Sequence, residues 1–307
     1  MSSPDHVLKL DIPADEAVYY EATAGQQCAE LAQFDSISQL LARNQSATAS
    51  LVARLALTGE KDRGTFPHPR DLWMCATYDC LAERDALEYL APLPGKRVLQ
   101  IGGQGHHAVQ FMLGGASEAW LVTPVEAEAR YALELARLAG VEIGCKLGLA
   151  EDLPFAAGFF DAIYSGGCAH HFQTEEAFPE IARVLVPGGR FAAEEPWRAP
   201  FYGWGIRVFG KREVEVHCRP LDARRLAPLG KSFSKFSVVQ HGVFTRYPMI
   251  ALHKIGIRTP YRLAWKLTQF DDALASLLGL RRFGSSVAVL AQTGHPGQAA
   301  ALLSPER

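Results

Sequence analysis

The strongest constraint on this chain is an alternation of short apolar runs with amphipathic stretches between residues 96 and 196. KRVLQI (96–101) leads into GGQGHHA, and EAWLVT (118–123) leads into EAEARYALELARLAG (126–140). EIGCKLG (142–148) is a weaker strand. FFDAIYSGG (159–167) opens into a loop, EEAFPEIARVLVPGG (175–189) reads as a helix stopped by Pro187 and the glycines, and RFAAEEP (190–196) reads as a strand ended by Pro196. Strands that alternate with helices in this way demand a parallel sheet with helices on both faces.

The flanks extend this unit. Residues 1–95 carry helical periodicity at 26–57 and 71–93, separated by the turn-rich KDRGTFPHPRD (61–71), and two readings stay open: a helical cap, or a lid over a pocket. The α/β unit is expected over 96–293, with insertions at about 197–233 and 245–282. FSVVQHGVF (236–244) and SSVAVLAQ (285–292) read as strands, residues 260–280 as a helix between them, and 294–307 as a frayed tail.

Composition narrows the function classes. Hydrophobic residues make up 48% and charged residues 21%, enough for a sizeable core. The net charge of -2 supplies no global basic field, so no nucleic-acid partner is expected. No run approaches the ~18–20 apolar residues of a membrane span, and no membrane partner is expected. The start, MSSPDHVLKLDIPADEA, lacks the pattern of a secretory signal. Six scattered cysteines without a CxxC fit a reduced, cytoplasmic compartment. Neither a phosphate-binding lysine loop nor a GxSxG elbow is present.

Three ordered motifs carry a resemblance: VLQIGGQG, AEDLPFAAGFFDAIYSGGCAHHF and EIARVLVPGGRFAAEEP, with LRRFGSSVAVLAQ as a closing strand. Together they resemble the class I S-adenosylmethionine (SAM)-dependent methyltransferases, in particular the ubiquinone/menaquinone-type small-molecule branch. The resemblance implies a Rossmann-like seven-stranded sheet of order 3-2-1-4-5-7-6, with ligands at the C-terminal ends of strands 1, 2 and 4.

Set against the family pattern, acidic-x-Gly-x-Gly-x-Gly, the first loop departs. The acid is Gln100, Gly102 survives, and the second and third glycines fall at Gln104 and His106. A one-residue shift recovers Gly105. The acid that holds the ribose falls at Thr123, with Glu126 three residues on, and the adenine-binding acid falls at Leu149, with Glu151 and Asp152 nearby. If a cofactor binds, Gly102, Gly103, Gly105, Thr123, Glu151 and Asp152 are the residues expected to hold it.

Two histidine pairs, His106-His107 and His170-His171, and the pair Glu194-Glu195 follow strands expected to be neighbours. Imidazoles and a carboxylate around one point would suit a divalent transition metal, iron or zinc. The leading expectation is therefore a metal-dependent enzyme on this fold, with one member of each pair as ligand. In ordinary family members, HHF and Glu-Pro line the substrate pocket. The alternative is a SAM-dependent small-molecule methyltransferase with His171 or Glu195 as general base. A third reading is a non-catalytic partner subunit. His68, His217 and Cys218 are weaker ligand candidates, and Cys168 is a candidate substrate contact. Trp73, Tyr78, Trp197, Tyr202, Trp204 and Phe209 are possible walls for an aromatic or apolar substrate, and the helical N-terminal region could form a homodimer contact.

Overall fold

A computed structural model describes residues 14–35, 80–200, 219–257, 259 and 261–294. His68, Trp73, Tyr78, Tyr202, Trp204, Phe209, His217 and Cys218 lie outside the described residues, as does most of the expected helix at 26–57.

Among the described residues the strands form one seven-stranded sheet, ordered β3-β2-β1-β4-β5-β7-β6. They are β1 (Arg97–Ile101), β2 (Glu118–Thr123), β3 (Gly144–Leu147), β4 (Phe160–Gly166), β5 (Leu185–Pro196), β6 (Lys235–His241) and β7 (Ser286–Gln292). β1 to β5 pair in parallel, and β7 runs antiparallel between β5 and β6. The expected order holds. The helix expected at 175–189 ends earlier, at Val184, because Leu185 already pairs with Phe160 and opens β5.

Both faces of the sheet are covered, which is why its central strands read as continuous apolar runs. Successive residues alternate between faces. Leu99, Ile163 and Phe191 pack with Phe178 and Ile181 of α5 (Thr174–Val184). Val98, Ala162, Tyr164 and Ala192 pack on the other side with Leu87 and Leu90 of α2 (Cys80–Leu90) and Phe111 of α3 (His106–Leu113). Two further helices matter for the site. α4 (Glu126–Ala139) follows β2, and Leu31 of α1 (Ala14–Leu31) packs with Tyr131 and Leu135 of α4. Short helices α6 (Ala223–Leu226) and α7 (Leu229–Ser232) precede β6, and α8 (Arg246–Lys254) and α9 (Tyr261–Leu277) join β6 to β7.

Candidate active site

A cavity of about 460 Å³ opens at the C-terminal ends of β1, β2 and β4, in the size range of small-molecule sites. Its floor is the turn after β1. Gly102 and Gly103 line it, both with positive φ (76° and 70°). A Cβ on Gly102 would lie 2.2 Å from Cys168 Sγ, so this close approach of two loops requires glycine. Gly105, also at positive φ, does not line the cavity. Its Cβ would meet Ala132 Cβ at 2.3 Å, so its absent side chain serves the packing of the α3 entrance against α4.

The histidines after β1 were expected to fill this space, and they do not. His106 is the first residue of α3, and its Nε2 lies 3.3 Å from the Tyr131 hydroxyl on α4. His107 Nε2 lies 3.0 Å from Glu83 Oε1 on α2. Gln104 bonds Gln27 of α1. The left-handed turn sends all three side chains among the surrounding helices, and none of them lines the cavity. Gln100, at the family's acid position, is buried and staples the loop. Its Nε2 donates to the Gly102 carbonyl and its Oε1 accepts from Ala108 N–H, both at 2.8 Å. The second bond caps an orphan donor in the first turn of α3, where Gly105 has no side chain to do so.

The acidic handle after β2 comes from a residue that sequence reasoning missed. Thr123 Oγ1 donates to Glu128 Oε2, and Glu128 lines the cavity. Only 7% of Glu128 is exposed, and burial pushes its carboxyl above the usual range, with the Glu21 charge adding to the rise. Glu126 and Glu128 both sit in the first turn of α4, but two residues apart on a helix means nearly opposite faces. Glu126 points outward to Arg130. The acid pair at a helix start was the available signal; the helix register decides which member turns inward. Glu151 also lines the cavity, accepts from Gln173 N–H at 2.6 Å, and is pushed upward by burial. Asp152 bridges Leu149 and does not line the cavity.

The loop after β4 is held by Glu195. This carboxylate is wholly buried and accepts from the backbone N–H groups of Cys168, Ala169 and His170, while its Oε2 lies 2.8 Å from His170 Nδ1. With its oxygens so engaged, Glu195 anchors the loop and is not placed as an open base. Glu194, its neighbour on β5, points the opposite way and does not line the cavity. Arg225 caps the same loop from α6, donating to the carbonyls of His170 and Phe172. His171 does reach the cavity. Burial, then His170, Arg225 and Arg219, push its imidazole down to about 3, so it is neutral at pH 7 and too weak to act as an efficient proton acceptor.

The expected metal centre is therefore not assembled. His106, His107 and His170 turn to three different partners, and among the described residues no three His, Cys, Asp or Glu side chains converge to hold an ion. Adjacency of strands brings loop backbones together, but side-chain direction is set by the turn and by the helices that receive each ring.

Comparison with known proteins agrees with the fold. Residues 99–193 match the methyltransferase domain family. An uncharacterized methyltransferase of Mycobacterium tuberculosis is 30% identical over 128 residues, which cover 41% of this chain and 50% of that one. The chain spans about half the length of the curated relatives it matches. The YcgJ protein of Bacillus subtilis superposes with a TM-score of 0.50 at 21% identity, over 70% of this chain and 98% of that one. A geranyl diphosphate methyltransferase in complex with SAM gives 0.51 at 17% identity, over 70% and 84%. Residues 99–193 are thus similar to the methyltransferase domain family, and the strand order of the sheet is that of the class I methyltransferase fold.

Proposed function

We propose that this chain binds SAM in the cleft at the ends of β1, β2 and β4 and transfers its methyl group to a small molecule. One observation carries the reading: the turn after β1 keeps two left-handed glycines on the cavity floor, with the Glu128 carboxylate lining the same cavity and the rings of His106 and His107 turned away from it. The residues present fit the cofactor. Gly102 and Gly103 leave room for it to approach the backbone. Glu128, oriented by Thr123, is the acceptor for the ribose hydroxyls, in place of the missing acid at the end of β2. Leu149, Ala150 and Glu151 line the same cavity and would hold the adenine.

Bound SAM supplies an electrophilic methyl group. The protein's own residues orient the acceptor and exclude water. Tyr20 of α1 and Phe172 wall the cavity with aromatic surface, and the neutral imidazole of His171 offers a hydrogen bond without a charge. These walls suit an apolar or aromatic acceptor. Tyr20 also gives α1 the role of a cover over the site.

Calorimetry with S-adenosylhomocysteine (SAH) on the full chain tests the reading. We expect a dissociation constant in the micromolar range, about -8 kcal/mol. No heat of binding at millimolar ligand would overturn it.

A further inference from the structure

The net charge of -2 conceals a steep asymmetry. Residues 223–305 hold eleven Lys or Arg against two Asp, whereas residues 1–222 hold nineteen against thirty acids. From Ala223 to Phe270 there is no acid at all. The two acids of the basic third are already engaged. Asp271 is buried and accepts from the N–H groups of Phe244 and Thr245, and Asp272 is bonded by His241 and Arg281. Such polarity within one chain points to an anionic surface as partner.

Apolar side chains stand in the same region. On α9, Ala264, Thr268, Asp271 and Ala275 form the buried face. Leu263, Phe270 and Leu277 recur every seven residues to one side of that face, 49%, 65% and 82% exposed. A seven-residue step drifts by only ~20° on a helix, so they form a stripe ~21 Å long. Ile255 and Ile257 after α8, and Leu278 after α9, are exposed as well, and so are Lys266, Arg281 and Arg282.

We propose that the α8–α9 face docks on an anionic lipid bilayer, with the apolar stripe entering the headgroup boundary and the basic residues meeting the lipid phosphates. Apolar stripes flanked by Lys and Arg are the chemistry of interfacial helices. A nucleic-acid partner would use the charge but gain nothing from seating Phe270 and Leu277. A second copy docked face to face would bring two basic surfaces together. Among the described residues no helix is long and apolar enough to cross a membrane, and a surface contact needs none.

The test is flotation of the full chain with phosphatidylcholine vesicles, with and without about 30 mol% phosphatidylglycerol. We expect binding to rise about tenfold with the anionic lipid and to vanish in about 0.5 M NaCl. F270E/L277E should lower it about tenfold or more with the thermal midpoint unchanged, because both side chains are exposed. K266E, which removes no apolar surface, should lower it about five- to tenfold. Equal binding to both vesicle types, or an F270E/L277E protein that still floats, would overturn the proposal. So would a dimer that F270E/L277E dissociates with no vesicle binding, or binding to a DNA duplex but not to vesicles.

Discussion

Glu128 offers the sharpest test of the proposed cofactor site, because it is a carboxylate that no motif alignment selects. It lies beside the glycine floor, is 7% exposed, and is aimed by the Thr123 hydroxyl. A hydrogen bond to a charged partner is worth ~1.5–3 kcal/mol, against ~0.5–1.5 for a neutral one. Glu128→Gln keeps the shape and an acceptor, so the loss is the difference, ~1–1.5 kcal/mol, or about tenfold in SAH affinity. Glu128→Ala removes the acceptor altogether and should weaken binding about a hundredfold. Glu126→Gln, two residues away but facing Arg130, should change it less than about twofold.

The pH dependence has a definite sign. Burial raises the Glu128 pKa in the folded protein, so the native state holds this proton more tightly than the unfolded chain does. Between its ordinary value and the raised one, this group therefore makes the ligand-free protein less stable as pH rises. SAH affinity should run the other way, falling as pH drops through the raised value and the carboxylate protonates. Calorimetry across this window, with Glu128→Gln as the flat reference, reads both trends. SAH affinity unchanged in Glu128→Ala, or reduced instead in Glu126→Gln, would refute the assignment.

Other perturbations separate cofactor contacts from scaffolding. Gly105→Ala combines a left-handed backbone, ~1–2 kcal/mol, with overpacking against Ala132, ~1–3 kcal/mol, and should lower unfolding stability by ~2–5 kcal/mol in chemical denaturation. Gly158→Ala, at similar φ but with nothing within 4 Å of the added Cβ, should show only the first part. Glu195→Gln places an amide NH2 among backbone donors and should cost about 2–4 kcal/mol of stability, measured the same way. His106→Ala should leave SAH affinity within about twofold, since its ring meets Tyr131 outside the cavity; a tenfold loss would restore the expectation that this ring belongs to the site.

What the sequence made legible was backbone architecture. Strand–helix alternation located the strands, because burial on both faces leaves apolar runs that periodicity detects, while their order came from the family resemblance carried by the LPF…HHF…VPGG series. It also placed His171, Gly102 and Gly103 at the cleft. Side-chain direction was not legible. His106 and His107 are adjacent on α3, yet one ring reaches α4 and the other α2, and only the docking of those helices decides this. Likewise Glu195 was expected as a metal ligand or a general base at a strand end. Its burial follows from three backbone N–H groups of a distant loop turning toward it, and local sequence carries no sign of that.

Gln100 shows how a departure from a family pattern can be a working part. The family acid can only accept hydrogen bonds, whereas this amide does both tasks at once, donating to Gly102 and accepting from Ala108. Gln100→Glu would restore the consensus and, at the same stroke, set a carboxylate oxygen against the Gly102 carbonyl oxygen, in a position 4% exposed. A buried donor replaced by a like-signed acceptor costs about 2–4 kcal/mol unless the residue protonates. We therefore expect the consensus residue to lower stability at pH 8 and to recover part of it in mild acid, where the protonated carboxyl can donate again. A Gln100→Glu protein as stable as the parent at pH 8 would mean that the glycine turn relaxes away from the side chain at position 100, and that the staple does not set the floor of the cavity.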